Sequence, residues 1–258
     1  MTKTSIEWAD EVWNPVTGCT KVSQGCKNCY AERIAERFWG DRKFTDVQMH
    51  EDRLRAPLHW KKPRRIFVNS MSDLFHPAVP ASFIHAVYDV MTEAKQHTFI
   101  VLTKRPERIV PVLYGAESNY YLGGGDYLPN VWHLTSAENQ ETANTRVPEL
   151  LKLCGMSGGW PVIGVSVEPM LGPVKLFGFG SPTWGLLPPA AYLNWVICGG
   201  ESGPGARPMH PDWARSLRDQ CQEAGVPFFF KQMKVEGKMI KFPELDGKVW
   251  NEYPTDAK

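Results

Sequence analysis

The chain has 258 residues, 43% of them hydrophobic and 22% charged, which excludes a low-complexity tail and leaves enough apolar surface for a full core. A formal net charge of +1 supplies no bulk field towards nucleic acid or an anionic membrane, so either partner has to be met by a local patch. The opening residues are acidic rather than apolar, no apolar run can span a bilayer, and three of six cysteines fall within residues 19–29; the chain reads as cytoplasmic, without a membrane partner.

One domain over residues 1–258 is expected at this length. A short strand is expected around residues 12–16, then a helix from near Cys29 through Ile34 and Phe38. Apolar runs rich in β-branched and aromatic residues follow at 66–68, 98–102, 131–134, 162–167, 195–198 and 226–230. Near-continuous runs of this kind suit strands buried on both faces of a parallel sheet. Between them, helical spacing appears in Phe83, Ile84, Val87, Tyr88, Met91 and Ala94, and in Val147, Leu150, Leu151 and Cys154. A third stripe, Trp213, Leu217, Cys221 and Ala224, is opened by Pro211 and closed by Gly225.

The alternation predicts an α/β fold, a full or partial β/α (TIM-like) barrel of about six or seven parallel strands. An open doubly wound sheet is the alternative, weakened by the lack of a Gly-x-Gly-x-x-Gly turn before the first helix. Residues 115–130 and 172–189, rich in Gly, Pro and aromatics, read as insertions, with Trp160 and Trp184 as candidate pocket walls. Cys154, Cys198, Cys221, Trp13, Trp195 and Trp213 fit core positions.

Cys19, Cys26 and Cys29 follow the first predicted strand in C-x6-C-x2-C spacing, at the end of a barrel where enzymes keep their chemistry. Three thiolates favour soft or borderline metals. Structural zinc wants four ligands, and the nearest histidine, His50, lies well downstream. A cubane takes one thiolate per iron, so three cysteines leave one iron open. Spacing alone leaves an iron–sulfur cluster, a zinc knuckle and three plain thiols as readings.

Each of four predicted strands is followed by a hydroxyl and a carboxylate: Ser70, Ser72 and Asp73; Ser136 and Glu138; Ser166 and Glu168; Glu201 and Ser202. In a barrel these ring one mouth and suit the ammonium and ribose hydroxyls of a nucleoside amino acid. Capping the next helix is the alternative role, and a carboxylate ring holding divalent metal in a hydrolase is another. Lys104, Arg105, Arg207 and Lys231 face the same mouth and suit a carboxylate or phosphate. The basic run at residues 61–65 precedes a strand and falls at the opposite end.

Residues 13–19 (WNPVTGC), 25–31 (GCKNCYA), 69–75 (NSMSDLF), 102–106 (LTKRP), 199–203 (GGESG) and 228–232 (FFFKQ) together resemble an uncharacterised family common in bacteriophages and prophages, treated as radical-SAM-like. The resemblance implies a barrel with a 4Fe-4S cluster on Cys19, Cys26 and Cys29. It also implies S-adenosylmethionine as cofactor, cleaved reductively to a 5′-deoxyadenosyl radical, and a flavodoxin- or ferredoxin-like reductant. On that reading Ser70, Ser72, Asp73, Lys104, Ser136, Glu138, Ser166, Glu168, Glu201 and Tyr30 are the candidate cofactor-binding residues. The favoured substrate is a nucleobase, nucleotide or nucleic acid, repaired or modified. The chain departs from the radical-SAM pattern in three ways. The cysteine loop is longer than C-x3-C-x2-C, and Asn28 replaces the aromatic residue before the last cysteine, a place Tyr30 is near enough to take. Gly-Gly-Glu also comes four strands late, so Ser70, Ser72 and Asp73 are better placed than Glu201 for the amino group. The rival classes are a non-catalytic nucleic-acid-binding protein stabilised by zinc or iron–sulfur, and a divalent-metal hydrolase.

Overall fold

The computed structural model describes residues 4–115, 128–155, 162–177 and 192–254. Seven strands, β1 (Glu11–Trp13), β2 (Arg65–Val68), β3 (Thr98–Thr103), β4 (Val131–Ser136), β5 (Val162–Val167), β6 (Trp195–Gly199) and β7 (Phe228–Val235), lie side by side in chain order. Each is parallel to the next. An eighth, β8 (Lys238–Lys241), pairs antiparallel with β7. The longer helices among the described residues are α1 (Tyr30–Phe38), α2 (Ala81–Glu93), α3 (Ile109–Tyr114), α4 (Gln140–Leu151) and α5 (Pro211–Ala224).

Every residue of β4, β5 and β6 is buried, as strands covered on both faces require. Successive side chains alternate between two cores. Ile66, Val68, Phe99, Val101, Val196 and Phe228 pack outward with the helix residues Ile84, Met91, Leu150 and Leu217. Phe67, Ile100, Trp132, Trp195, Ile197 and Phe229 pack inward around Trp8. The Trp8 ring lies 4.7 Å from Phe67 on β2 and 6.3 Å from Trp195 on β6. In a flat sheet those strands would stand roughly 19 Å apart, four spacings of about 4.8 Å. The sheet is therefore curled into a half-barrel, with β1 and β8 as its unpaired edges.

Expectation and structure differ in five places. The strand expected at 12–16 ends at Trp13, and Val16–Thr17 pairs instead with Gln48–Met49. Pro15 between them cannot donate to a ladder. The last strand runs on to Val235 and turns back through Glu236 and Gly237, whose φ angles of 47° and 82° build a tight hairpin. The short helix α3 carried no clear stripe, and α4 starts earlier than its apolar spacing suggested because Asn139 and Thr142 form a capping box. Finally, α1 turns Ala31 and Ala35 inward and leaves Ile34 and Phe38 exposed. Cys198, Cys221, Trp13 and Trp195 are buried as expected, while Cys154 and Trp213 are only partly so. Trp160, Trp184 and most of both predicted insertions lie outside the described residues. Among the described residues no helix is long and apolar enough to cross a membrane.

Because Trp8 closes the concave face, Trp8→Ala is expected to destabilise the fold by about 3–5 kcal/mol, read as a lower denaturant midpoint. A midpoint unchanged from the parent would contradict this packing.

Candidate functional site

The cysteine loop leaves β1 at the C-terminal end of the parallel strands. Gly18 has φ +93°, and a Cβ there would come 2.4 Å from the Asp46 carbonyl oxygen. Only glycine fits that approach. It lets the Gly18 amide donate to Met71 O at 3.0 Å and the Cys19 amide to Phe44 O at 2.8 Å. Residues Gln24–Cys26 form a single 3₁₀ turn, and Cys29 stands at the N-cap of α1.

Three anchors fasten this loop to the strand ends. Arg105 donates to Thr20 O at 3.0 Å and to Asp73 at 2.9 Å, with Cys19 Sγ 3.7 Å away. Glu138 accepts from the Gly25 amide at 3.2 Å, so close that a Cβ on Gly25 would meet its carboxyl carbon at 2.9 Å. Glu201 accepts from Asn28 Nδ2 at 2.8 Å and from Arg207 Nε at 3.0 Å, while Arg207 also donates to Gln24 O at 2.9 Å. Beside this last anchor, Arg33 donates to Ser202 O at 2.7 Å.

Two adjoining cavities open at the mouth, of about 140 and 150 Å³. Cys19 lines the first, and Cys26, Cys29, Tyr30 and Lys104 line both. All three cysteines are free and half-buried. Burial, helped by Asp73 and opposed by Arg105, pushes the Cys19 thiol up to about 11, so a bound metal has to displace its proton. Neither histidine of the neighbourhood offers a fourth ligand. His50 Nε2 is bonded to Thr17 Oγ1 at 2.7 Å. His76 accepts from the Ala78 amide at Nδ1, so its Nε2 donates to Thr20 Oγ1 at 2.8 Å. Among the described residues no three His, Cys, Asp or Glu side chains gather as a ready-made metal site. A single zinc ion needs four donors converging on one point. A cubane accepts three soft thiolates along one wall, one for each of three irons. This donor set fits the cubane.

The four strand-end carboxylates do stand at one mouth, and each is already paired with a cation. Asp73 pairs with Arg105 at 2.9 Å, Glu138 with Arg146 at 2.9 Å, Glu168 with Lys231 at 2.6 Å and Glu201 with Arg207. Asp73 also accepts from Thr103 Oγ1 at 2.7 Å and from the Phe75 and Lys104 amides. Burial alone would raise the Glu201 pKa, but bonds from Arg207 and Asn28 overcome it and hold the carboxyl at about 2. Burial is likewise outweighed at Glu138, where Ser23, Arg146 and Lys104 keep the carboxyl below its usual value. These groups act as counterions, so the carboxylate ring of a divalent-metal hydrolase is not formed. Nor do they cap the following helices: the N-cap of α4 is Asn139 and that of α5 is His210.

The hydroxyls divide. Ser72 Oγ donates to Val16 O and Ser70 Oγ to Asn14, both shaping the first loops. Tyr30 donates its hydroxyl to Ser70 O at 2.6 Å and keeps its ring exposed beside the cavities. Ser136, Ser166 and Glu168 line the second cavity. Lys104 is the exception among the mouth cations: Nζ meets only Ser136 Oγ, at 3.2 Å, and among the described residues it forms no ion pair. The residues that sequence reading missed are Thr20, Arg146 and the inward-facing Trp8, which lines the second cavity. In the sequence Asn28 stands out only where an aromatic residue is missing; its anchor to Glu201 has no local signal.

No curated protein matches the chain. Among solved structures it is similar to spore photoproduct lyase complexed with dinucleoside spore photoproduct, at TM-score 0.49 and 12% identity over 85% of this chain and 74% of that one. It is also similar to a substituted spore photoproduct lyase with bound AdoMet and dinucleoside spore photoproduct, at TM-score 0.47 and 13% identity over 88% and 57% of the two chains. The family described as "Protein of unknown function (DUF5131)" matches residues 3–254, and the chain belongs to that family.

Proposed function

We propose that this chain is a radical S-adenosylmethionine enzyme acting on a nucleobase, nucleotide or nucleic acid, supplied with electrons by a flavodoxin- or ferredoxin-like donor. The observation that carries the reading is the loop itself: three free, half-buried cysteines on one cavity wall, fastened by buried ion pairs at the strand ends. Cys19, Cys26 and Cys29 would hold a 4Fe-4S cluster and leave one iron open. When bound, that cluster supplies the electron that breaks a C–S bond of S-adenosylmethionine, giving methionine and a 5′-deoxyadenosyl radical.

The chain's own residues hold and orient. Lys104, which forms no ion pair among the described residues, takes the methionine carboxylate with Ser136 beside it. Glu168 differs from Asp73 and Glu201 in that Lys231 and Gln232 both bond its Oε1, which leaves Oε2 for the ammonium, with Ser166 on the same cavity for the ribose hydroxyls. Phe67 and Leu102 form an apolar floor shared by both cavities, which keeps water from a reactive carbon radical. Asp73 and Glu201, fully engaged by Arg105 and Arg207, position the loop and leave cofactor contact to these neighbours.

Anaerobic reconstitution with iron and sulfide is expected to give a brown protein with about four irons. Cys26→Ala is expected to lose them, and dithionite with S-adenosylmethionine should yield 5′-deoxyadenosine. Stoichiometric zinc without iron after reconstitution would sink the reading. Lys104→Met should retain iron but weaken S-adenosylmethionine binding about tenfold or more, as loss of a charge-assisted bond does; equal binding in a calorimetric titration removes Lys104 from the cofactor site.

A further inference from the structure

Helix α1 leaves the cysteine loop with an apolar stripe whose Ile34 and Phe38 join neither hydrophobic core among the described residues. Tyr30, Ile34 and Phe38 recur every fourth residue and are 41%, 41% and 68% exposed, while Ala31 and Ala35 make the buried face. The stripe is about 12 Å long, eight residues at about 1.5 Å each. Its inner end is the cavity wall, since Tyr30 lines both cavities. At its outer end basic and aromatic residues alternate, Arg37-Phe38-Trp39 and then Arg42-Lys43-Phe44. The Arg37 guanidinium lies 5.1 Å from the Phe38 ring and that of Arg42 lies 4.1 Å from the Trp39 ring. Trp39 stands 5.8 Å from Phe44, which returns to the wall of the first cavity.

The charges around the stripe are not mutually cancelled. Lys27, Arg37 and Lys43 are exposed and, among the described residues, form no ion pair. Two of the nearby acids are occupied, Glu32 by Lys21 and Asp46 by Arg42, which leaves Glu36 and Asp41 on this surface. Flat exposed rings beside unpaired cations, leading into a cavity, match a ligand that repeats a planar ring and an anion. An acidic protein surface would meet the cations, but it does not alternate a planar ring with an anion at every step as a nucleic-acid strand does.

We propose that this ridge binds single-stranded nucleic acid, stacking bases on Phe38 and its neighbouring rings and holding phosphates on Lys27, Arg37 and Lys43. The strand then runs along Tyr30 or Phe44 to present one base at the cavity. The proposal rests on the radical reading only for what happens to that base; binding is measured without cofactor. Fluorescence anisotropy with labelled oligothymidylate and the full chain should show saturable binding, with duplex of the same length about tenfold weaker. Phe38→Ala is expected to weaken it about tenfold. Arg37→Ala should lower the slope of log K against log salt by about 1. Both variants should keep parental iron content and S-adenosylmethionine cleavage. Absence of oligonucleotide binding overturns the ridge, as does binding indifferent to both substitutions, or a flavodoxin-type protein whose binding both variants abolish and oligothymidylate does not compete. A parent that cleaves S-adenosylmethionine yet ignores the oligonucleotide refutes this inference alone, and one that binds oligonucleotide but never takes up iron refutes only the radical chemistry.

Discussion

The Asp73–Arg105 pair joins the loop after β2 to the second residue after β3 and reaches the cysteine loop through Thr20. Its side chains are 7% and 5% exposed, so solvent screens it little, and removing either partner would leave a buried charge costing about 3–5 kcal/mol. Glu138 with Arg146 and Glu201 with Arg207 repeat the device at β4 and β6. A loop running from Gly18 to Cys29 has no regular ladder of its own and would otherwise sample many conformations. Here the Gly25 amide, the Thr20 and Gln24 carbonyls and the Asn28 side-chain amide are each held by a residue beyond a strand end, and the three thiols line one cavity.

That arrangement depends on curvature. Because the sheet closes halfway round Trp8, the ends of strands far apart in the ladder come close enough to meet one compact loop. In a flat sheet Asp73 and Glu201 would follow strands four ladder steps, roughly 19 Å, apart, a span the loop could cover only in a more extended form. The bulky inner residues Trp132, Trp195 and Phe229 fill the concave side and leave the mouth as the open end. The same curvature brings Lys104, which forms no ion pair among the described residues, to the wall shared by both cavities.

Much of this was legible in the sequence. Apolar runs with helical stripes between them marked all the parallel strands and three main helices, and the position of each Ser, Asp or Glu just past a run placed it at the mouth. What the pattern could not convey was partnership. Asn28 and Glu201 are 173 residues apart in sequence, and Gly25 and Glu138 are 113 apart; nothing local says that these carboxylates serve the loop rather than a ligand. Helical spacing was also ambiguous on α1, where alanines and larger apolar residues occupy neighbouring faces. Ala31 and Ala35 take the buried face and Ile34 and Phe38 the exposed one, a division that the spacing alone does not assign. The β7–β8 hairpin was missed because its residues are largely polar, and its signal was the Glu236-Gly237 pair with positive φ.

The central claim is that three thiols on a prefolded loop leave one iron open to a cofactor. Low-temperature electron paramagnetic resonance of the dithionite-reduced, reconstituted protein addresses it directly, with and without S-adenosylmethionine. The account predicts a reduced 4Fe-4S signal whose g-values shift when S-adenosylmethionine is added, in the parent and not after loss of Cys29. A signal that S-adenosylmethionine leaves unchanged, or no cluster signal at all, would contradict it.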